Sequence, residues 1–421
     1  MPHQVGLTVI ASVKRSAIED LRTALREIGA DPAHNGLLPF ARLKGIHFAR
    51  FLLMESTTDL EGRPIPAHLV FMIDLDAPLE ERLGELAEFG HAGLDRLFSA
   101  CEGYGVGGRD AAIAFLRRHA VPNAAYYVNT VGLAADQALG EAKLRDDLED
   151  YVDAEVGLRN RPFSHIRSVL VEWVAENPSL SWALRPPSLP SSAWRLGELA
   201  HMIVVPLVGL VLLPLILVAL PLWLIALRIH EDRDPAPDLR PDSRHLSELE
   251  AGEDHGPINP FTAVGFVKPG WFRAATARIV LFLISYGVRH LFNHANLAGV
   301  KTIHFARWAY IDGGRRVIFT SNYDGSQESY MDDFIDKIAW GLNVVFSNGV
   351  GYPPTRWLLF GGARHEREFK NFLRRHQLPS QVWYTPYPNL TALNIANNST
   401  LRAGLAGEMA DADTARWLGR L

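Results

Sequence analysis

Hydrophobic positions change period along this chain, in an order that is then used a second time. Apolar and polar residues alternate over 7–13, the signature of a strand with one buried face. Ser16 leads into Ile18, Leu21, Leu25 and Ile28, whose spacings of three and four predict an amphipathic helix. Strands are predicted over 46–54 and 68–74, on either side of a polar loop at 59–66 that contains Gly and Pro. Helices follow over 78–89 and 109–119, and β character returns over 124–131.

The same order recurs after residue 261, carried by recognisable residues. Ile46-His47-Phe48-Ala49-Arg50 returns as Ile303-His304-Phe305-Ala306-Arg307, and Phe115-Leu116-Arg117-Arg118-His119 returns as Phe372-Leu373-Arg374-Arg375-His376. Thr8, Phe71, Phe98 and Tyr126-Tyr127 correspond in sequence to Thr262, Phe319, Phe346 and Trp383-Tyr384. The order β-α-β-β-α-(α)-β is the split βαβ, or ferredoxin-like, pattern. The fold class expected is therefore α+β: two ferredoxin-like (βαββαβ) repeats, at 1–135 and 261–400, packed sheet against sheet as an intramolecular pseudo-dimer. A helical and Pro-rich connector is expected at 136–200, an apolar segment at 201–230, a solvated polar linker at 231–260 and a C-terminal tail at 401–421.

The segment 202–227 contains no charged, amide or hydroxyl side chain. As one helix its 26 residues (227 − 202 + 1) would reach ~39 Å, beyond the ~30 Å hydrocarbon core of a bilayer. Pro206, Pro214 and Pro221 interrupt it, each removing a backbone donor. Two repeats that pack together lie on one side of a bilayer, whereas a single crossing would separate them. The expectation is monotopic, membrane-associated attachment by a re-entrant or shallow segment, with both repeats on the cytoplasmic side. The other apolar run, 279–288, reaches only ~15 Å as a helix and is too short to span. With Trp271, Phe272 and Tyr286 around it and Arg273, Arg278 and Arg289 at its ends, it reads as an interfacial helix. Both apolar elements beside one sheet would let a lipophilic molecule pass from bilayer to protein without crossing water.

Composition narrows the function classes. Forty-two basic against 47 acidic residues give a net charge of −5, so nucleic-acid binding has no electrostatic footprint. The single cysteine, Cys101, has no partner for a disulfide or a thiolate metal cluster, and no metal site is expected. The chain has no HExxH, P-loop, GxSxG or dinucleotide-binding fingerprint.

Candidate chemistry rests on where the second repeat departs from the first. His and Arg recur in both copies, which marks a shared scaffold role; Asn322, Tyr323, Gln327, Tyr330, Asp332 and Asp333 lack polar counterparts at several places in copy one. Asp324 corresponds to Asp76 and is expected to cap the helix that contains Tyr330. Trp308, Tyr310, Asn348, Trp383 and Tyr384 offer polar-tipped aromatic walls. Strand alternation places His304, Ala306, Trp308 and Tyr310 on one face and Ile303, Phe305, Arg307 and Ala309 on the other.

The duplicated pattern resembles the dimeric α/β-barrel superfamily, in which dye-decolourising peroxidases hold haem with two such domains in one chain. Asn322-Tyr323-Asp324-Gly325 is similar to the end of that family's GxxDG motif, and Ser164-His165-Ile166-Arg167 to the segment with its haem-ligating His. The resemblance implies Asp324 as a distal acid with Arg307 or another Arg as its partner and His165 as a haem ligand; the second repeat's departures add Asn322 and Tyr330 to the catalytic candidates, and His304 and His376 are further candidate haem ligands. The function expected is thus a membrane-associated, peroxidase-like oxidoreductase that acts on a lipophilic substrate with haem. The alternative is a non-catalytic membrane-attached module that binds lipid or protein.

Overall fold

In a computed structural model the residues described are 3–158, 160–235, 239–293 and 295–421. The chain is a mixed α/β structure with antiparallel sheets and three long apolar helices. The first half runs β1 (Gln4–Ser12), α1 (Ile18–Ala30), β2 (Ile46–Met54), β3 (His68–Asp76), α2 (Leu79–Phe98), α3 (Gly108–Arg118) and β4 (Asn123–Val128). A connector follows with α4 (Ala135–Ala154) and α5 (Phe163–Glu176), then α6 (Ser192–Val211), α7 (Leu213–Asp232) and α8 (Ser243–Glu250). The second half runs β5 (Ile258–Phe266), α9 (Trp271–His290), β6 (Ile303–Ile311), β7 (Arg316–Asp324), α10 (Gln327–Phe346), α11 (Glu366–His376) and β8 (Val382–Tyr384). Two C-terminal helices, α12 (Ala392–Ala403) and α13 (Asp411–Leu418), pack against α4 and α5 through Leu144, Leu170, Leu401 and Trp417, so the C-terminal tail is helical.

Each half gives its last strand to the other. One sheet has the order β1-β3-β2-β8, the other β4-β6-β7-β5. The crossing is continuous with the strand's own half. Just before β4, Val121 N–H donates to the Thr8 carbonyl of β1 (2.8 Å), and β4 then pairs with β6. Just before β8, Leu378 N–H donates to the Thr262 carbonyl of β5 (2.8 Å), and β8 then pairs with β2. Hydrogen bonding at these crossings therefore links the two sheets at both edges. Leu52, Met54, Val70, Met72, Ala309, Ile311 and Ile318 fill the space between the sheets. The helices cover the outer faces.

At the centre the recurring arginines reach across. Arg307 donates to the Leu7 and Ile73 carbonyls (2.7 and 3.0 Å), to Thr8, and to Asp74. Arg50 donates in the same way to the Phe261 and Ser321 carbonyls (2.8 and 3.1 Å), to Thr262, and to Asn322. Both guanidiniums are buried. Two cations thus share one carboxylate, and burial, only partly offset by Asp74, pushes the Arg50 pKa down to about 10.

A bulge at the start of β2 and of β6 alters the predicted alternation. It falls between Ile46 and Phe48 and between Ile303 and Phe305. Ile303 consequently packs with Ala306 and Trp308 under the helices, not with Arg307 between the sheets. The predicted linker at 231–260 is also more ordered than expected. It holds the end of α7 and all of α8; Asp234 pairs with Lys268 and Arg273 (both 2.6 Å), and Glu253 with Arg374. Residues 236–238 of that linker lie outside the described residues.

The apolar segment is two helices. α6 ends at Leu212, and Pro214, which has no N–H to return to Leu210, opens α7. Both outer ends rest on α9. Glu198 pairs with Arg289 and His201 with His290 at one end; Phe272 stacks on His230 and packs beside Trp223 at the other. Phe272 and His290 lie ~27 Å apart along α9, whereas the path from His201 to His230 is ~44 Å of helix, so the segment bows outward as an arch. The arch is exposed on Ile203, Leu207, Leu210, Leu215, Leu217, Val218 and Leu222. α9 is itself 20 residues long, twice the apolar run expected, and with α6 and α7 is long and apolar enough to cross a membrane by length and composition.

Candidate functional site

The second half contains a cavity of about 340 Å³ between α9, α10 and the outer face of β5, β6 and β7. Its floor is Phe261, Ile303, Ala306, Trp308 and Phe319, and its walls are Val280, Leu283, Ile284, Val288 and Leu291 on one side and Tyr330, Phe334, Ile338 and Leu342 on the other. Leu283, Leu291 and Trp340 line it while being 61 %, 65 % and 51 % exposed, so the mouth lies between α9 and α10 with an apolar rim. α10 departs from helical geometry at Ile338 (φ −140°, ψ 34°), inside this wall.

The origin of the space is visible in the first half. There Leu38, fully buried, sits against Gly90 and Gly93 of α2; a Cβ on Gly93 would lie 2.6 Å from the Leu38 Cβ. Phe40 follows and stacks on Tyr384. By equal spacing from β2 and β6, the second half has Ala295 in place of Leu38 and Leu297 in place of Phe40, while Gly341 keeps the place of Gly93. The knob is smaller and the hole remains. A Cβ on Gly341 would meet only the Ile338 Cβ, at 3.8 Å.

A second hollow of about 60 Å³ adjoins the first, sharing Trp308, Phe319, Val345, Phe346 and Leu373 with it. Tyr310, Asn348 and His376 complete its polar lining. Trp308 Nε1, the Tyr310 hydroxyl and Asn348 Nδ2 are buried and have no hydrogen-bond partner among the described residues. Burial raises the Tyr310 pKa to about 12, against a smaller opposing effect of Arg278, so the phenol stays protonated. The His376 ring donates from Nδ1 to the Phe372 carbonyl (2.7 Å); burial keeps its pKa below the ordinary histidine value. Neutral His376 then presents Nε2 as an acceptor.

The sequence-predicted polar residues lie elsewhere and in several places. Asp324 bonds His304 (2.6 Å) and accepts from Ala392 N–H (2.8 Å), capping α12 and not the helix of Tyr330; that helix is capped by Ser326. The first half repeats the arrangement, with Asp76 bonded to His47 (3.0 Å) and to Ala135 N–H at the start of α4 (2.9 Å). Arg307 and Asn322 belong to the central clamp, Arg307 bonded to Asp74 and not to Asp324. Tyr330 alone of the predicted catalytic set lines the large cavity; its hydroxyl bonds Ser321 (2.5 Å) and its ring stacks on Tyr323.

The three histidines proposed for haem are likewise separate. His304 borders a hollow of about 30 Å³, His376 the hollow of about 60 Å³, and His165 is exposed on α5. Both hollows are far below the ~300–1,000 Å³ of ordinary small-molecule sites, and none of the three lines the 340 Å³ cavity. These residues do not fit a porphyrin. Sequence reasoning had singled out Trp308, Tyr310 and Asn348 as polar-tipped walls. It gave no sign of Ala295, Leu297 and Gly341, because lost volume in a loop leaves no motif.

No protein-family model matches the chain, and no curated protein and no solved structure matches it either.

Proposed function

We propose that this protein is attached to one face of a membrane and takes a lipophilic molecule from the bilayer into the cavity beneath α9. The carrying observation is the exposed apolar rim at the mouth of an apolar chamber, formed by Leu283 and Leu291 on and just beyond α9, the helix that also supports the apolar arch, and by Trp340 of α10. Attachment follows from the arch. Although α6 and α7 could each cross by length and composition, their stretches without charged, amide or hydroxyl side chains, 202–212 and 213–227, rise only ~16 and ~22 Å against a ~30 Å core, and both helices contact α9 at their outer ends. Both halves then lie on one side, which we read as cytoplasmic. Trp271, 82 % exposed, and Phe282 on α9 supply interfacial contact.

The scaffold reads as two ferredoxin-like repeats in an intramolecular pseudo-dimer with exchanged last strands. The chamber's described lining contains no carboxylate, histidine or cysteine, so the reading is of binding and presentation, without acid–base or nucleophilic chemistry. The test is displacement of a fluorescent fatty-chain probe from protein reconstituted in nanodiscs. Wild type binds the probe saturably, one per chain, and Gly341→Leu, which fills the chamber, loses binding at least tenfold while keeping its far-ultraviolet circular dichroism. Equal binding by both proteins overturns the assignment. Attachment is tested by carbonate washing and protease access: the membrane pellet keeps the protein with both halves cleaved from the same side, and protection of one half alone defeats the one-sided reading.

A further inference from the structure

We infer that the ligand is a long apolar molecule ending in one small uncharged oxygen function, a hydroxyl or a carbonyl, which the Trp308–Tyr310–Asn348–His376 hollow receives. This rests on the chamber being the binding site and specifies what enters it. Buried donors almost always have partners, because an unmade hydrogen bond costs the full desolvation of the group. Here three are bare on residues lining one hollow that adjoins the chamber. Trp308 and Asn348 are 5 % and 3 % exposed. The indole N–H can only donate; Asn348 Oδ1 is taken by Arg273 (3.3 Å), which leaves its amide N–H₂. Both therefore call for an acceptor.

No charged side chain is among the hollow's described lining, so an ionised end would be buried there without a paired countercharge, Arg273 and Arg278 being engaged with Asp234 and the Tyr310 ring. His376, held neutral, offers an acceptor that a hydroxyl would satisfy and a carbonyl would not. The size fits one small group, since about 60 Å³ is roughly the share of two waters in the liquid. The chamber beyond takes on the order of ten methylenes at about 30 Å³ each, a methylene being close to a water in size.

Comparison with the first half shows that the hollow is an addition. At the matching places stand Phe51 for Trp308, Leu53 for Tyr310 and Ala100 for Asn348. All three are buried and apolar. Gly265 replaces Ala11; a Cβ there would lie 3.3 Å from the His376 ring. Of the hollow's polar side chains, His376 alone has the same residue, His119, at its matching place. Polar groups thus enter at three places of one outer face, in the half that has the chamber.

The experiment is probe displacement in nanodiscs by a series of equal chain length: n-tridecane, 1-dodecanol, 2-tridecanone, laurate at pH 8 and dodecylammonium. Wild type should bind the alcohol or the ketone at least tenfold more tightly than the alkane, with both ionic members no tighter than the alkane. The variant Trp308→Phe/Tyr310→Leu/Asn348→Ala, which installs the first half's residues, should bring alcohol and ketone within threefold of the alkane; Trp308 also lines the chamber, so the three ligands are compared within the variant. Arg273 loses the Asn348 acceptor but keeps Asp234, and an unchanged far-ultraviolet circular dichroism spectrum checks the fold. An alcohol favoured over the ketone, with that margin lost in His376→Phe, identifies the hydroxyl; the reverse order identifies the carbonyl. Equal binding of alkane, alcohol and ketone by wild type means that water alone fills the hollow and overturns the inference while the chamber stands. Tighter binding of an ionic member, or an unchanged preference in the triple variant, also overturns it. If no member displaces the probe, the chamber reading itself fails.

Discussion

The two halves use the same strands, crossing arginines and His–Asp caps, yet the first is solid where the second is hollow. α1 buries Leu21, Ala24, Leu25 and Ile28 completely, and Leu38 and Phe40 plug the space beside it. α9 is seven residues longer (20 against 13), leaves Ile279, Phe282 and Leu283 exposed, and covers a chamber. What the halves share holds them to each other; the second half's smaller side chains and added polar tips form the chamber and the hollow to which we assign a ligand. Copies in one chain can divide labour in this way because each supplies the other's missing strand. A half that opens a cavity remains braced by one that does not.

The largest expected effect tests the centre. Asp74→Ala leaves two buried guanidiniums without a carboxylate, and should cost ~3–5 kcal/mol in denaturant unfolding of the detergent-purified protein. Asn322→Ala removes a neutral acceptor from Arg50, which keeps the Phe261 and Ser321 carbonyls. It should cost only ~1–3 kcal/mol. Equal losses would show that the charge asymmetry between the halves carries no energetic weight. The His-bonded carboxylates should behave oppositely, as a matched pair. Asp76→Ala and Asp324→Ala each remove one His bond and one helix cap, and should each cost about 2–3 kcal/mol. A difference beyond about 1 kcal/mol would break the equivalence of the two sites.

The same substitution should then separate the halves by packing. In Gly93→Leu the side chain meets Leu38 and the Leu37 carbonyl, 2.6 and 2.9 Å from the Cβ position. Overpacking should cost ~1–3 kcal/mol. In Gly341→Leu it enters the chamber, and a gain in helix propensity of up to ~1 kcal/mol over glycine makes the change neutral or stabilising. Thermal unfolding of the two variants side by side checks this. A destabilised Gly341→Leu would mean that the chamber closes in solution.

Much of the scaffold was legible because repetition and periodicity are properties of the string. The elements of both halves lie close to where alternation and three-four spacing put them, and the Pro-punctuated segment breaks into two helices at Leu212. The partner of a strand was not legible. Residues 124–131 announce a strand, but nothing in Tyr126 or Tyr127 says that its neighbour is Arg307's strand and not Thr8's. Single-residue events also escaped: the bulge before Phe305 moved Ile303 to the helix side, and Asp324 caps α12, a helix that begins 68 residues later. The polar hollow was half legible. Trp308, Tyr310 and Asn348 are legible as polar-tipped walls but not as a group of unpartnered donors, whereas the candidate haem ligands His165 and His304 lie apart from each other and from the hollow.

The smallest effect concerns acid, and it joins the hollow to stability. His376 has a folded pKa below its ordinary value, chiefly through burial, so below about pH 6.5 the unfolded chain binds a proton that the folded chain resists. Its contribution to stability is complete above that value and is lost as pH falls toward the depressed folded pKa. His68 and His290 are shifted the same way, also chiefly by burial, so the acid limb has several sources. His376→Phe should shallow the fall in melting temperature between about pH 6.5 and 5 without abolishing it. A bound alcohol that donates to Nε2 adds a second effect on the same atom. It resists protonation further, so the stabilisation by ligand should shrink as pH falls in wild type and stay level in His376→Phe. If wild type keeps full ligand stabilisation as pH falls through the depressed folded pKa of His376, the ligand does not reach that ring.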